Sequence, residues 1–248
     1  MDWEKEYLDA VLVPSGLFIM FSYHVFLLYR CLRLPHTTVI GYENHHKSAW
    51  VERMMQADTR NIPLALQVIS GNTSAATVMS SVCIALSSLI GAWIGSSSKN
   101  TVMSGIIYGD TRQSTVFFKY ISLLTCFLVA FASFVQSARY FVHANFLISV
   151  PDTDIPVKYV QSAVIMGSSF WSVGHRSLYF ATTLLLWIFG PIPMFVCSVI
   201  MVLLLNFLDT NSTPLHQYSS PTYTNQQLLI KRVGEQITTS VATDVELH

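Results

Sequence analysis

Between Ser177 and Leu208 the chain runs 32 residues without a charged side chain. As one helix that stretch would be about 48 Å long, against a hydrocarbon core of roughly 30 Å, so it predicts a membrane span. Three earlier apolar runs predict three more: Ala10 to Tyr29, Leu64 to Ile94, and Phe117 to Ala138. In the third, helical pattern continues past Arg139 to Ser149, two residues before Pro151, so that helix tilts or projects from the bilayer. The pattern therefore predicts an all-α fold class: an integral membrane four-helix bundle (residues 1–208) with short amphipathic loop helices and a disordered C-terminal tail (209–248).

Two local features qualify the spans. The last one is interrupted by Gly190, Pro191 and Pro193, whose prolines remove donors that the carbonyls of Trp187 and Phe189 would use in a continuous helix. In lipid such groups need another partner, which predicts that the break faces protein or a wet cavity. In the second span Ala76, Ser80, Cys83, Ser87 and Gly91 recur at steps of three and four, and Gly91 with Gly95 has GxxxG spacing. Such a small-residue face predicts close helix packing at the bundle centre, or dimerisation.

Between the spans, Trp50, Val51, Met54 and Met55 share one face of an amphipathic helix. The spacing suits a helix lying in the headgroup layer and equally one packed on the end of the bundle. A second amphipathic piece is expected over Val157 to Trp171, leading into the last span. From Asp209 onward Ser, Thr, Asn, Gln and Pro dominate, which predicts disorder, with Leu228-Leu229-Ile230 as a short binding helix.

Composition agrees: 52% of residues are hydrophobic and 11% charged, with zero formal net charge. That balance suggests no nucleic-acid partner and makes membrane lipids the expected surroundings, together with a membrane-protein partner or a second copy. Cys31, Cys83, Cys126 and Cys197 each fall in or beside a different apolar segment, as small apolar fillers do. No metal or other cofactor is implied. The start of the chain, with Asp2, Glu4, Glu6 and Asp9 against Lys5, lacks the basic opening of a cleavable signal peptide.

The acidic start opposes Arg30 and Arg33 across the first span, which predicts both termini exoplasmic in a plasma membrane or endomembrane. Asn211-Ser212-Thr213 is a glycosylation triplet on that predicted outer side. Four alternating spans also place the end of the first, the start of the second, the end of the third and the start of the fourth in one leaflet. The polar residues there are His24, Gln67, Asn72, Gln136, Arg139, His143, His175 and Arg176, and the opposite leaflet has no comparable set. Gln136, Arg139 and His143 share a helix face.

Three chemistries fit this group. The arginines can snorkel to lipid phosphates while His24 serves helix packing. The cations can line a site for an anion or a lipid head. His24 and His143 can face each other as haem or metal ligands, although no spacing motif supports this. Catalytic triads, paired carboxylates within the membrane and phosphate-binding glycine loops are absent from the sequence. The functional readings are an accessory or structural membrane protein, a small transporter using the Gly190–Pro193 break and the Arg139/His143 face, and a histidine-ligated haem or metal protein.

Several runs resemble one family. Leu64-Ala65-Leu66-Gln67, the run FVQSARYFVH from Phe134 to His143, GHRSLYF from Gly174 to Phe180, and LWIFGP from Leu186 to Pro191 are similar to the domain-of-unknown-function 599 family, multi-pass membrane proteins of plants and bacteria. Asn44, Lys47 and Trp50 fit its loop pattern. The chain resembles a plant member over about Val11 to Leu208, and departs at Ser70-Gly71, where relatives carry Arg-Asn. The resemblance implies a membrane protein and carries no activity.

Overall fold

The computed structural model describes residues 2–56, 61–97, 112–150 and 155–213. They form six α-helices: α1 (Asp2–Arg33), α2 (Val39–Gln56), α3 (Ile62–Ser97), α4 (Gln113–Ser149), α5 (Val157–Trp187) and α6 (Pro191–Asp209), with a 3-10 turn at Pro35–Thr37 before α2. The tail from residue 214, including Leu228-Leu229-Ile230, lies outside the described residues.

Four helices are long and apolar enough to cross a membrane: Leu8–Arg33, Ile62–Ile94, Gln113–Ser149 and Pro191–Asp209. Their outward surfaces are what lipid requires and water would not tolerate. Phe207 is 82% exposed, and Phe18, Leu32, Phe146 and Leu203 also project outward. Apolar surface on that scale marks a membrane environment.

The stretch expected as one broken span is two antiparallel helices. Ser177–Trp187 belongs to α5, which turns at Gly190 into α6. Gly190 has φ 152°, a conformation open to glycine at little cost. The end of α5 tightens, with the amides of Ile188 and Phe189 donating to Leu185 and Leu186. Pro191 and Pro193 then sit in the first turn of α6, where helix amides lack intrahelical acceptors anyway. The prolines therefore start a helix; they do not kink one.

Residues Val157–Trp171, expected as a separate amphipathic piece, are continuous with Ser177–Trp187 in α5. Gly174 does not end that helix. A side chain built there would meet the Phe134 ring at 2.7 Å, and one at Gly167 would meet the Phe141 ring at 2.9 Å. The two glycines are seven residues apart, as are the two phenylalanines, so α4 and α5 pack antiparallel with each ring filling the space over a glycine. Ser137 Oγ donates to the Gly167 carbonyl at 2.7 Å in the same seam.

This register runs α5 along the length of α4. Phe141, Ala144 and Ile148 meet Val160, Ala163 and Val164 at one end, and Leu123 and Phe127 meet Ala181 and Leu184 at the other. α3 is antiparallel to α4 on the other side: Ala65 and Ile69 lie near Phe141 and Ala144, Cys83 near Ala130 and Phe134. Ala76, Ser80, Cys83 and Ser87 are buried, Gly91 is exposed, and Gly95 lies in the last turns of α3.

α1 and α6 are parallel neighbours. Val13 packs with Met194, Gly16 lies against Ser198, and Tyr23 and Leu27 pack with Leu205. Five helices thus run lengthwise. Asp9 of α1 lies beside Trp187 and Thr210 beside Thr38, so α1 begins and α6 finishes at opposite ends of the bundle. Asp209, expected to open the tail, is the last residue of α6, and the chain beyond it is still docked: Thr210 bridges Thr38 and Asn211 N–H donates to the Thr37 carbonyl at 3.1 Å.

α2 closes this end. Thr38, fully buried, accepts the Gly41 amide at 3.2 Å and so caps the helix. Val51 is buried, and Trp50, Met54 and Met55 pack against Ala65, Ile69 and Val160. Of the two readings of this amphipathic face, packing on the bundle's end is the one realised.

Candidate functional site

The eight polar residues grouped by sequence fall on the half of the bundle that α2 covers, but they divide among separate surroundings. Gln67, Asn72, Arg139 and His143 are exposed on α3 and α4. Gln136 is half-buried on α4. His175 packs its ring near Phe134 and Trp171, with centroids 5.3 and 4.5 Å away, and its Nδ1 lies 3.0 Å from the Trp171 carbonyl. His24 and Arg176 belong to a third place, where α1, α5 and α6 meet.

That junction is completed by Asp209 and Tyr23, which the sequence did not single out. Asp209, buried at the end of α6, receives both guanidinium nitrogens of Arg176, with Arg176 Nη1 2.7 Å from Oδ2 and Nη2 bonded to Oδ1. Tyr23 Oη donates to Asp209 Oδ2 at 2.7 Å. Planar fork against carboxylate is the strongest geometry an ion pair has, and a third donor spends a remaining lone pair. His24 lies beside it, its ring 4.9 Å from the Phe180 ring and its Nδ1 2.7 Å from the Met20 carbonyl. The contact assigns the proton to Nδ1, leaving Nε2 buried without a hydrogen-bond partner. Nearby, Arg30 Nη2 donates to the Thr37 carbonyl at 2.8 Å, holding the connection to α2.

The opposite end, where the sequence showed no comparable set of polar residues, has a smaller polar junction of its own. Asp9, buried in α1, accepts the Trp187 indole N–H at 2.8 Å. Lys119, 3% exposed on α4, holds its Nζ 5.4 Å from the Trp187 ring centroid. Cation over indole is worth more where water is excluded. The Gly190 turn lies beside this junction at the end of the bundle, so it does not open a discontinuity at mid-membrane. The transporter reading loses the geometric premise that recommended it.

A cavity of about 370 Å³ opens between α2 and the helices α3, α4 and α5. Asn72 lines it, with Glu43, Lys47, Ser168, Trp50 and Trp171. Lys47 Nζ lies 2.7 Å from Glu43 Oε2 and 2.5 Å from Ser168 Oγ. Gln161 Nε2 donates to the Ser48 carbonyl at 3.0 Å, tying α5 to α2. Lys47 stood in the sequence as a loop residue and Trp50 on an amphipathic helix between spans; α2, running from Val39, carries both over the bundle.

His143 is exposed on α4 while His24 lies against Phe180, so the two imidazoles do not face each other across a haem-sized gap. Among the described residues no three His, Cys, Asp or Glu side chains gather closely enough to hold a metal ion. Asn211 Nδ2 donates to the His36 and Thr213 carbonyls, which folds the Asn211-Ser212-Thr213 triplet onto the loop after α1.

Four helices long and apolar enough to cross a bilayer, clamped by buried polar junctions within the bundle, mark a multi-pass membrane protein. The chain belongs to the family described as "Protein of unknown function, DUF599", whose profile matches residues 11–214, more than four fifths of its length. No curated protein and no solved structure matches it.

Proposed function

We propose that this chain is a non-catalytic accessory membrane protein that uses its α2-covered end to contact lipid headgroups. The observation that carries the reading is the placement of Arg139 and His143. Both are exposed on α4, one and five residues past the uncharged run 120–138, and the apolar side chains of Val135 and Phe146 flank them outside. A cation on the outer wall of a span, just beyond its apolar length, is positioned for phosphate rather than for a pathway through the bundle. The inward polar groups support the same reading, because Arg176, Asp209, Tyr23, Asp9 and Trp187 spend their hydrogen bonds on one another.

The test compares wild type with Arg139→Ala plus His143→Ala in nanodiscs containing spin-labelled phosphatidylglycerol. The double variant should hold its fold and lose the preference for the anionic label at its boundary. Unchanged preference, or solute flux through wild type that the double variant abolishes, would overturn the reading.

A further inference from the structure

The cavity beneath α2 has polar atoms with bonding capacity to spare. A lysine ammonium carries three donors, and Lys47 uses two of them, on Glu43 and Ser168. Ser168, itself buried, accepts from Lys47, which leaves its own O–H proton free to donate. Asn72 lines the same space, and its amide makes no hydrogen bond among the described residues. Three donors therefore surround one volume.

The charges decide which head fits. Lys47 and Glu43 are the charged groups of the lining, and they cancel. A purely anionic head would meet the Glu43 carboxylate, and a purely cationic one would meet the Lys47 ammonium. A zwitterion satisfies both at once. Trp50 and Trp171 add aromatic walls, the surface that holds an alkylated ammonium.

Size and position match a headgroup rather than a whole lipid. The cavity holds roughly a dozen water volumes. Phe141 on its wall lies three residues past the end of the uncharged run of α4. Val68, also on the wall, is 44% exposed, and Leu64 one turn away is 52% exposed, so the apolar side of the cavity continues onto the outer surface of α3. Chains attached to a head in the cavity have a hydrocarbon-facing path along that helix.

The geometry points to a site for one zwitterionic phospholipid: phosphate toward Lys47, Ser168 and Asn72, ammonium toward Glu43 and the tryptophans, acyl chains along α3. This deepens the headgroup-contact reading and rests on it for the depth of the site, but uses residues other than Arg139 and His143.

The full chain in a neutral maltoside detergent is titrated with dioleoyl phosphatidylcholine, dioleoyl phosphatidylglycerol, diolein or inorganic phosphate and examined by native mass spectrometry. One phosphatidylcholine should survive activation that strips the other three. Ala75→Phe, which places a ring in the cavity from an exposed position, should lower that retention at least about tenfold, a change of about 1.4 kcal/mol. If that variant is not monodisperse, Ser168→Ala carries the test, with a fall of about tenfold expected for a lost bond to a charged group. Arg139→Ala plus His143→Ala should leave the single tight lipid in place, so the site and the boundary contacts fail or stand separately. Equal retention of phosphatidylglycerol or diolein, binding of free phosphate as tight as of lipid, or full retention by the monodisperse cavity variants would overturn the proposal.

Discussion

Phe134 fills the space that a side chain at Gly174 would need, its ring atoms 2.7 Å from where a Cβ would stand. Phe134 is fully buried, so it has no open direction in which to yield. Gly174→Leu should therefore destabilise the protein by about 1–3 kcal/mol, the usual cost of overpacking. Phe134→Ala alone should cost about 3–5 kcal/mol through the cavity it leaves. The double variant should be more stable than the sum, and thermal unfolding of all four proteins in detergent measures that coupling. Strict additivity would mean the two residues do not share the space.

The Asp209 carboxylate receives Arg176 and Tyr23 while nearly out of contact with solvent. Asp209→Ala should cost about 3–5 kcal/mol, because it strands a largely buried guanidinium. Arg176→Met with Asp209→Leu removes both charges and should recover most of that loss. Chemical denaturation in mixed micelles provides the comparison; a double variant no better than Asp209→Ala would show that the pair does not act as a unit.

At the other end, Trp187→Phe keeps the ring for Lys119 but removes the N–H that Asp9 accepts. The expected loss is about 1–3 kcal/mol for a buried acceptor deprived of its donor. Arg139→Ala plus His143→Ala, both on exposed positions, should stay within about 0.5 kcal/mol of wild type. Melting temperatures that reverse this order would contradict the burial described for the two sets.

Helices lying lengthwise in odd number predict that the two ends of the described chain are reached from opposite faces of the membrane. In a background with Cys31, Cys83, Cys126 and Cys197 replaced, single cysteines at Ala10 and Thr213 should react with an impermeant maleimide from opposite sides of sealed vesicles. Labelling of both from one side would refute the arrangement of α5 and α6.

The places of α1, α3 and α4 were legible because hydrocarbon demands long uncharged runs and the sequence displays them openly, although α1 extends beyond Ala10 to Tyr29 at both ends. The α5–α6 turn was not, because a glycine followed by two prolines reads alike as a kink and as a fresh helix start; only the packing of Met194 beside Val13 and Ala181 separates them. The packing seam at Gly167 and Gly174 was not legible either, since their partners Phe141 and Phe134 lie on another helix. Half of the candidate site was readable: His24 and Arg176 stood out as nitrogen-bearing groups in apolar surroundings. Asp209 did not, because it sits where the composition turns polar. Tyr23 is an ordinary aromatic until a carboxylate arrives from a sequence separation of 186.

That long separation shapes how the molecule can be made. The first described helix to leave the ribosome finds its main neighbour in the last described one, and the Arg176 guanidinium waits for a counter-charge supplied by the final residue of α6. A nascent chain that stops short of Pro191 carries an orphan helix and an unneutralised cation into the bilayer.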